Sequence, residues 1–225
     1  MTDDLLNRLK VIDSCAVSDA MDSLGLPGEV TGINNQTTKD KIVGRTLTVK
    51  LVAGKPEGGQ KSGSVKHLCS GAIEMGSAGS VIVIEQRTGI DAAGWGGVLS
   101  NAAQHNGIEG VIVEGLARDI DEAAGLDFTV YARGHTARTA RARIYEQSYN
   151  TEITVGDVKV NEGDVVIADG SAVVFIPADR AEEVIKIAER IVNKEQLMTE
   201  AVRSGTPVGT VMGSNYENML DEMGK

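Results

Sequence analysis

The hydrophobic residues at the start of the chain recur with the spacing of amphipathic helices. Residues 3–13 carry leucine and isoleucine at helical spacing after an acidic first turn, which suits the positive end of a helix dipole. The following stretch, SDAMDSLG, predicts a second short helix with Ser18 as its cap and Gly25 as its stop. We therefore expect N-terminal helices within residues 1–27.

Apolar runs in the middle of the chain predict buried strands. IVGRTLTVKLVAG alternates like a strand rich in β-branched residues, whereas GSVIVIE (Gly79–Glu85) and EGVIVEG (Glu109–Gly115) are unbroken apolar runs typical of strands buried on both faces. Between these two, VLSNAAQHNG predicts a helix closed by Gly107. A strand, a helix and a strand in this order imply a parallel pair with a right-handed crossover, so the loops after both strands emerge at one edge of the sheet.

The last third of the chain predicts several short strands and then one long helix. The strands lie in ITVGDVKVNEGDVVIADGSAVVFIP, and the helix covers AEEVIKIAERIVNKEQLMTEAVRSG and ends near Gly205. We predict a single α/β domain over residues 1–225. Its core at 40–178 mixes parallel and antiparallel strands, and a C-terminal helix and tail occupy 179–225.

Composition and charge narrow the class of protein. The 225 residues are 41% hydrophobic and 24% charged, which is typical of a globular protein, and no run approaches the ~20 apolar residues of a membrane span. A net charge of -10 argues against a nucleic-acid partner. The two cysteines, Cys15 and Cys69, lack metal-binding spacing and are expected to be small core residues in a reducing compartment. We expect a cytoplasmic protein without a membrane partner.

Other motifs carry little chemistry. The glycine-rich segment GKPEGGQKSGS predicts a loop, but it fails the phosphate-binding pattern because Gln60 separates Gly59 from Lys61. His67 and His105 have no partners at metal-binding spacing, so solvent or core positions are favoured for both. The sequence contains no nucleophile elbow of the GxS type.

The stretch GWGGVLSNAAQHNGIEGVIVEGLARD carries the strongest candidate chemistry. Gly96 and Gly97 allow close approach of a ligand to the backbone, and the N–H groups of Gly96, Gly97, Val98 and Leu99 begin a helix that favours an anion. The alternative is a tight strand-to-helix turn packed beneath Trp95, and this alternative is favoured when the loop is considered alone.

Arg118 and Asp119 follow the second buried strand. Asp119 and Glu122 fit a helix-capping box, and Arg118 could simply form a surface ion pair. A functional role for the two residues is favoured because they should converge with the glycine loop. A guanidinium, a carboxylate ligand for Mg²⁺ or Mn²⁺, and backbone amides would then share one crevice. Such a site suits a chelating 2-oxo acid, whose enolate a Lewis-acid cation stabilises while Arg118 holds the developing charge.

The same stretch resembles the signature of the RraA-like family, named for the regulator of ribonuclease activity A. The family includes 4-hydroxy-4-methyl-2-oxoglutarate aldolases and proteins mislabelled as demethylmenaquinone methyltransferases. VSDAMDSLG, IVGRTLTVK and VNEGDVVIADGSAVVFIP resemble family segments in the same order, as does KEQLMTEAVRSG. The resemblance covers most of the chain and implies a swivelling β/β/α domain, assembled as homotrimers or as hexamers.

The resemblance also implies roles for individual residues. The backbone of Gly96 to Leu99 and the side chain of Arg118 would bind substrate, Asp119 would be the metal ligand, and Glu195 would reach the site from a neighbouring subunit. Many members carry an acid where this chain has Gly97, and the aldolases use that acid to order water on the metal. Asp91 and Glu114 could replace it, although Glu114 could as easily be a strand-end charge in solvent; the alternative is a reaction that differs from that of the aldolases.

We therefore predict a lyase that depends on a divalent metal cation, Mg²⁺ or Mn²⁺, and cleaves a carbon–carbon bond in a small 2-oxo acid. The reaction is retro-aldol release of pyruvate, decarboxylation of oxaloacetate, or both. The alternative is a non-catalytic regulator that binds a ribonuclease or an RNA helicase. The arginine-rich stretch YARGHTARTARAR could guide anions or bind RNA, but a salt-bridged surface between subunits is favoured.

Overall fold

The computed structural model describes residues 3–37, 41–54 and 67–213. The glycine-rich segment that failed the phosphate-binding pattern falls almost wholly outside these residues. The helices are α1 (Asp4–Leu9), α2 (Ser14–Ser23), α3 (Ser70–Met75), α4 (Gly97–His105), α5 (Ile120–Gly125), α6 (Ala181–Arg203) and α7 (Val208–Val211), with a 3-10 turn at Ala178–Arg180. The strands are β1 (Glu29–Val30), β2 (Asn34–Asn35), β3 (Ile42–Ala53), β4 (Ser80–Glu85), β5 (Ala93–Trp95), β6 (Gly110–Ala117), β7 (Thr129–His135), β8 (Ile144–Tyr149), β9 (Ile153–Val155), β10 (Val158–Val160), β11 (Val165–Ala168) and β12 (Val173–Ile176).

The centre of the large sheet is parallel. Strands β3, β4, β6 and β7 lie side by side in that order, and β4 pairs with β6 from Val81 opposite Gly110 to Glu85 opposite Glu114. Antiparallel strands extend the sheet on both sides, with β11, β12 and β1 beyond β3, and β2 beyond β7. The predicted α/β fold with a mixed sheet and flanking terminal helices is confirmed, including the parallel pair joined through α4.

Three apolar clusters pack against this sheet. One lies beneath α3, α4 and α5 and contains Trp95, Leu99 and Phe128. A second joins the N-terminal helices and α6 to β11 and β12, and a third lies under the β9–β10 hairpin. The first cluster contains Trp95 at the end of β5 and Ala117 at the end of β6, so both strand ends pack into the core.

The terminal helices differ in detail from the prediction. Helix α2 begins at Ser14 with Asp13 as its cap, whose side chain accepts the N–H of Ala16, so the prediction of Ser18 as the cap was wrong. Cys69 is buried as expected, but Cys15 is exposed because it lies on the outer face of α2. Helix α6 ends where predicted, before Gly205. Among the described residues, no helix has the length and apolar character needed to cross a membrane.

Asp169 joins the N-terminus of α2 to the turn between β11 and β12. One carboxylate oxygen accepts the N–H of Ser14 at 2.8 Å, and the other accepts the Ser14 hydroxyl at 2.6 Å and the N–H of Ser171 at 2.9 Å. Burial raises the pKa of Asp169, but these hydrogen bonds outweigh it and leave the pKa below its ordinary value.

Replacing Asp169 with asparagine is expected to lower the free energy of unfolding near pH 7 by about 2 kcal/mol, because charge-assisted hydrogen bonds are lost. The carboxylate has a lower pKa folded than unfolded, so its contribution is present above the unfolded value of about 4 and disappears as the pH falls through the folded value. Urea unfolding should therefore show the two proteins converging below that pH. Asp157→Asn, at an exposed position, is the control; an unchanged gap at acidic pH would contradict the expectation.

Candidate active site

The glycine loop and the Arg-Asp pair lie side by side at one edge of the sheet. Strand β5 runs parallel to the end of β6, with Ala93 opposite Leu116 and Trp95 opposite Ala117. The N–H of Arg118 donates to the carbonyl of Trp95 at 3.0 Å, so the two chain segments stay in contact where they leave the sheet. The convergence predicted from the strand order is therefore present in the structure.

Trp95 anchors the loop from below. Its side chain is 1% exposed, and its ring stacks on Phe128 with centroids 6.1 Å apart and planes 16° apart. The indole Nε1 donates to Ser100 Oγ at 2.9 Å, and that hydroxyl donates to the carbonyl of Gly96 at 3.3 Å. The glycine loop therefore packs on Trp95, as expected if it were a tight strand-to-helix turn. The same packing fixes the loop backbone beside Arg118.

Asp119 does not cap its own helix. It precedes α5 in the left-handed conformation, with φ 56° and ψ 40°, and its side chain makes no capping hydrogen bond. Instead, Oδ2 accepts the N–H of Gly97 at 3.0 Å and lies 3.4 Å from Nε of Arg118. The capping-box interpretation was therefore wrong, because the left-handed backbone turns the carboxylate toward α4. Conformations of this kind are uncommon outside glycine and concentrate at functional sites.

Gly96 lies so close to the side chains of Arg118 and Asp119 that a Cβ atom has little room there. Its backbone is extended, with φ -164° and ψ -177°, which any residue can adopt. A Cβ atom there would lie 3.0 Å from Oδ2 of Asp119 and 3.1 Å from Nε of Arg118, closer than real Cβ contacts tolerate without movement. The missing side chain lets the guanidinium and the carboxylate lie directly against the loop.

Gly97 faces a different neighbour, Glu122. A Cβ atom at Gly97 would overlap the carboxylate of Glu122, all three of whose atoms lie within 2.9 Å of that position. Glu122 Oε1 accepts Nδ2 of Asn101 at 2.8 Å, and the same amide donates to the carbonyl of Gly97 at 3.0 Å. The sequence indicated Glu122 only as a capping partner of Asp119, because its contact with α4 depends on the tertiary fold.

An open cleft lies over the loop. Its floor is formed by residues 93–99 with Arg118, and its opposite wall by His67, Leu68, Thr139 and Ala140. Gly97 N–H is already taken by Asp119, but the N–H groups of Val98 and Leu99 have no acceptor in the described part of the chain. These two amides, at the start of a nine-residue helix, favour an anion in the cleft.

The carboxylates expected to replace the acid missing at Gly97 are occupied elsewhere. Glu114 pairs with Arg133 at 2.8 Å, and Asp91 pairs with Arg138 at 3.2 Å. The carboxylate that lies against Gly97 is instead that of Glu122. These ion pairs also tie two arginines of the arginine-rich stretch to partners within the chain.

Glu195 lies away from the cleft of its own chain. It is an exposed residue on α6, and its pKa is raised by partial burial and by the negative charges of Asp13 and Asp19. These neighbours belong to the N-terminal helices, and no residue of α6 lines the cleft. A role for Glu195 at the site therefore requires a second subunit, as the sequence resemblance implied.

The donor set suits a hard divalent cation that keeps most of its water. No three His, Cys, Asp or Glu side chains converge among the residues that the structure describes, so a closed metal cage is not present there. Asp119 nevertheless keeps its second oxygen, Oδ1, without a partner in that part of the chain, beside a guanidinium and a helix N-terminus. Mg²⁺ and Mn²⁺ bind through one or two carboxylates together with water and substrate, so these residues fit such an ion.

Known proteins resemble this chain in sequence and in fold. Protein DlpA of Legionella pneumophila is 30% identical over 202 residues, which cover 90% of this chain and 32% of DlpA, so the chain spans about a third of that relative. A protein of Halalkalibacterium halodurans named "Putative 4-hydroxy-4-methyl-2-oxoglutarate aldolase" is 28% identical over 187 residues, 83% of each chain. A crystal structure from Pseudomonas syringae pv. tomato has a TM-score of 0.82 at 27% identity and covers 94% of this chain and 93% of its own.

The match to a family model covers most of the fold just described. The model, described as RraA-like and as Aldolase/RraA, matches residues 14–175, from the start of α2 to β12. The matched range includes the glycine loop, Arg118, Asp119 and Glu122, and it ends before α6. The chain therefore belongs to the RraA-like family.

Proposed function

We propose that the protein is a lyase that depends on a divalent cation and breaks a carbon–carbon bond in a small 2-oxo acid. The reaction is retro-aldol cleavage of a 4-hydroxy-2-oxo acid to pyruvate, decarboxylation of oxaloacetate, or both. The observation that carries the proposal is the position of Asp119, whose carboxylate leaves its own helix and lies against Gly97 N–H and Arg118.

Two groups of the site bind the substrate carboxylate. The N–H groups of Val98 and Leu99 lie at the start of α4 and have no acceptor among the described residues, and backbone donors at a helix N-terminus favour anions. Arg118 contributes a planar guanidinium whose side chain is 40% exposed at the edge of the cleft, so it can donate two parallel hydrogen bonds to a carboxylate. Together they would orient a keto acid with its reacting carbons over Gly97.

Asp119 would hold the cation through the oxygen that faces away from Gly97. A divalent ion bound there supplies Lewis-acid polarisation of the keto group, which favours the enolate. Gly97 N–H keeps the other carboxylate oxygen in place, so the ligand is oriented before substrate arrives. Arg118 stabilises negative charge that develops on the substrate as the bond breaks, because its own charge is fixed and close to the loop.

Both reactions share one chemical course. In the retro-aldol direction the proton of the 4-hydroxyl leaves, the C3–C4 bond breaks, C4 becomes a carbonyl carbon and the electron pair stays on C3 as the enolate of pyruvate. A proton then adds to C3. In decarboxylation, the bond to the departing carboxylate breaks, CO₂ leaves and the same enolate takes up a proton.

The proposal is tested by incubating the protein with oxaloacetate or with 4-hydroxy-4-methyl-2-oxoglutarate, with Mg²⁺ or with excess chelator, and measuring pyruvate. We expect turnover that requires the cation and is restored when the cation is returned. Absence of cation-dependent pyruvate from both substrates would overturn the lyase and leave the non-catalytic regulator, which a pull-down with ribonucleases and RNA helicases would then examine.

We further propose a homotrimer or hexamer in which Glu195 completes the site of a neighbouring subunit. Arg118→Ala and Glu195→Ala proteins should each be inactive, whereas rings mixed from the two should recover activity at about a quarter of their sites, because only one pairing in four joins an intact cleft to an intact Glu195. Subunit exchange by mild denaturation, followed by the pyruvate assay, provides the measurement. Each variant taken alone through the same exchange is the control, and equal inactivity of verified mixed rings would contradict the proposal.

A further inference from the structure

We propose that Glu122 is the proton-carrying carboxylate of this site and takes the proton of the substrate's 4-hydroxyl during retro-aldol cleavage. This inference rests on the proposed lyase function and adds to it a residue whose position depends on the packing of α5 against α4.

The space at Gly97 is shaped by Glu122. Gly97 is the first residue of α4 and does not belong to the glycines with positive φ, so its backbone would accept any side chain. A Cβ atom there would overlap the carboxylate at the end of the Glu122 side chain, so Glu122 lies directly against Gly97. Gly97 lines the cleft together with Arg118, so the Glu122 carboxylate lies against a lining residue, although Glu122 does not itself line the cleft.

In the described part of the chain, Glu122 forms a hydrogen bond with a neutral amide and its negative charge is not neutralised by a basic side chain. Asn101 Nδ2 donates to Oε1 at 2.8 Å, and in the described part of the chain Glu122 takes part in no ion pair. Asp119, in contrast, is engaged by Arg118 and by Gly97 N–H, which suits a fixed cation ligand. The two carboxylates therefore have different roles. Asp119 is the cation ligand, and Glu122 is the general base, oriented by the neutral amide of Asn101.

The two carbon–carbon cleavages differ in their need for a base. Retro-aldol cleavage requires a group that accepts the 4-hydroxyl proton as C4 becomes a carbonyl, and the same protonated group can return a proton to C3 of the pyruvate enolate. Decarboxylation has no hydroxyl proton to remove, since the electron pair is released when CO₂ leaves. Loss of Glu122 should therefore affect the first reaction far more than the second.

The test compares both reactions in the Glu122→Gln protein. We expect the retro-aldol kcat to fall about 100-fold, the low end for removal of a general base, and the decarboxylation kcat to fall by no more than about threefold. Glutamine keeps an oxygen for Asn101, so the Tm should stay unchanged. Mn²⁺ affinity, titrated by electron paramagnetic resonance without substrate, should stay unchanged as well. Asp121→Asn, on the same turn of α5, is the charge-matched control.

A relocation experiment provides a second measurement. In the double variant Gly97→Asp with Glu122→Ala, the aspartate grows from α4 into the volume that the Glu122 carboxylate vacates. Retro-aldol activity should rise about tenfold above that of Glu122→Ala alone, because a base is returned to the same place.

The possible outcomes separate this inference from the proposed function. Equal loss of both reactions in Glu122→Gln, loss of Mn²⁺ binding, or undiminished retro-aldol activity would each overturn the role of Glu122, while cation-dependent turnover by the wild type would still support the lyase. A wild-type protein without turnover on either substrate would overturn both.

Discussion

Asparagine at position 119 is expected to lower cation-dependent pyruvate formation by at least about 10³-fold, because loss of the ligand removes several kcal/mol of Lewis-acid stabilisation. The substitution leaves the backbone intact. Asparagine tolerates the left-handed conformation that Asp119 adopts at φ 56°, and its side-chain oxygen can still accept Gly97 N–H. The measurement is kcat for both substrates, together with Mn²⁺ binding by calorimetry.

Thermal unfolding distinguishes this loss from misfolding. The Tm of the Asp119→Asn protein should match that of the wild type, whereas alanine at the same position should also lower stability by about 1 kcal/mol because it disfavours the left-handed region. If the Asp119→Asn protein kept wild-type turnover and Mn²⁺ affinity, the proposal that Asp119 binds a catalytic cation would be contradicted. The carboxylate would then be only a structural acceptor for the start of α4.

Replacing Arg118 with lysine is expected to lower kcat/KM for both reactions by about 10²-fold, because lysine keeps the charge but loses the planar pair of donors. The weaker clamp should also weaken competitive inhibition by pyruvate, and this inhibition constant can be measured separately from turnover. Arg180→Lys, where the arginine pairs with Glu183 beside α6, is the matched control. A lysine variant with an unchanged pyruvate inhibition constant would show that Arg118 does not bind the carboxylate.

Much of the fold follows from local sequence patterns. The apolar runs that became β4 and β6 contain five or more buried or half-buried residues each, and such runs predict strands covered on both faces. Strand β5 was not predicted because it has only three residues, although it leads directly into the glycine loop. Its pairing with β6 is a tertiary contact, so the sequence shows only that the two loops emerge at one edge.

The candidate site was harder to predict because its side chains turn away from their own helix. Asp119 and Glu122 match a capping box by spacing, and the pattern cannot reveal that a left-handed residue directs the first of them toward α4. The overlap between Glu122 and a side chain at Gly97 depends on how α5 packs beside α4. A glycine at the first position of a helix, where no unusual backbone is needed, was the available sign that a neighbour occupies the space.

The two walls of the cleft have different origins in the chain. Apart from Glu195, the groups proposed to react lie between Gly94 and Glu122, next to the buried Trp95. The facing wall is made of His67–Leu68 and Thr139–Ala140 from separate loops. Loops tolerate exchange far better than the packed elements beneath them. Substitutions in those loops can therefore change the specificity for the distal half of a substrate during evolution. The residues between Gly94 and Glu122 can stay unchanged while this happens.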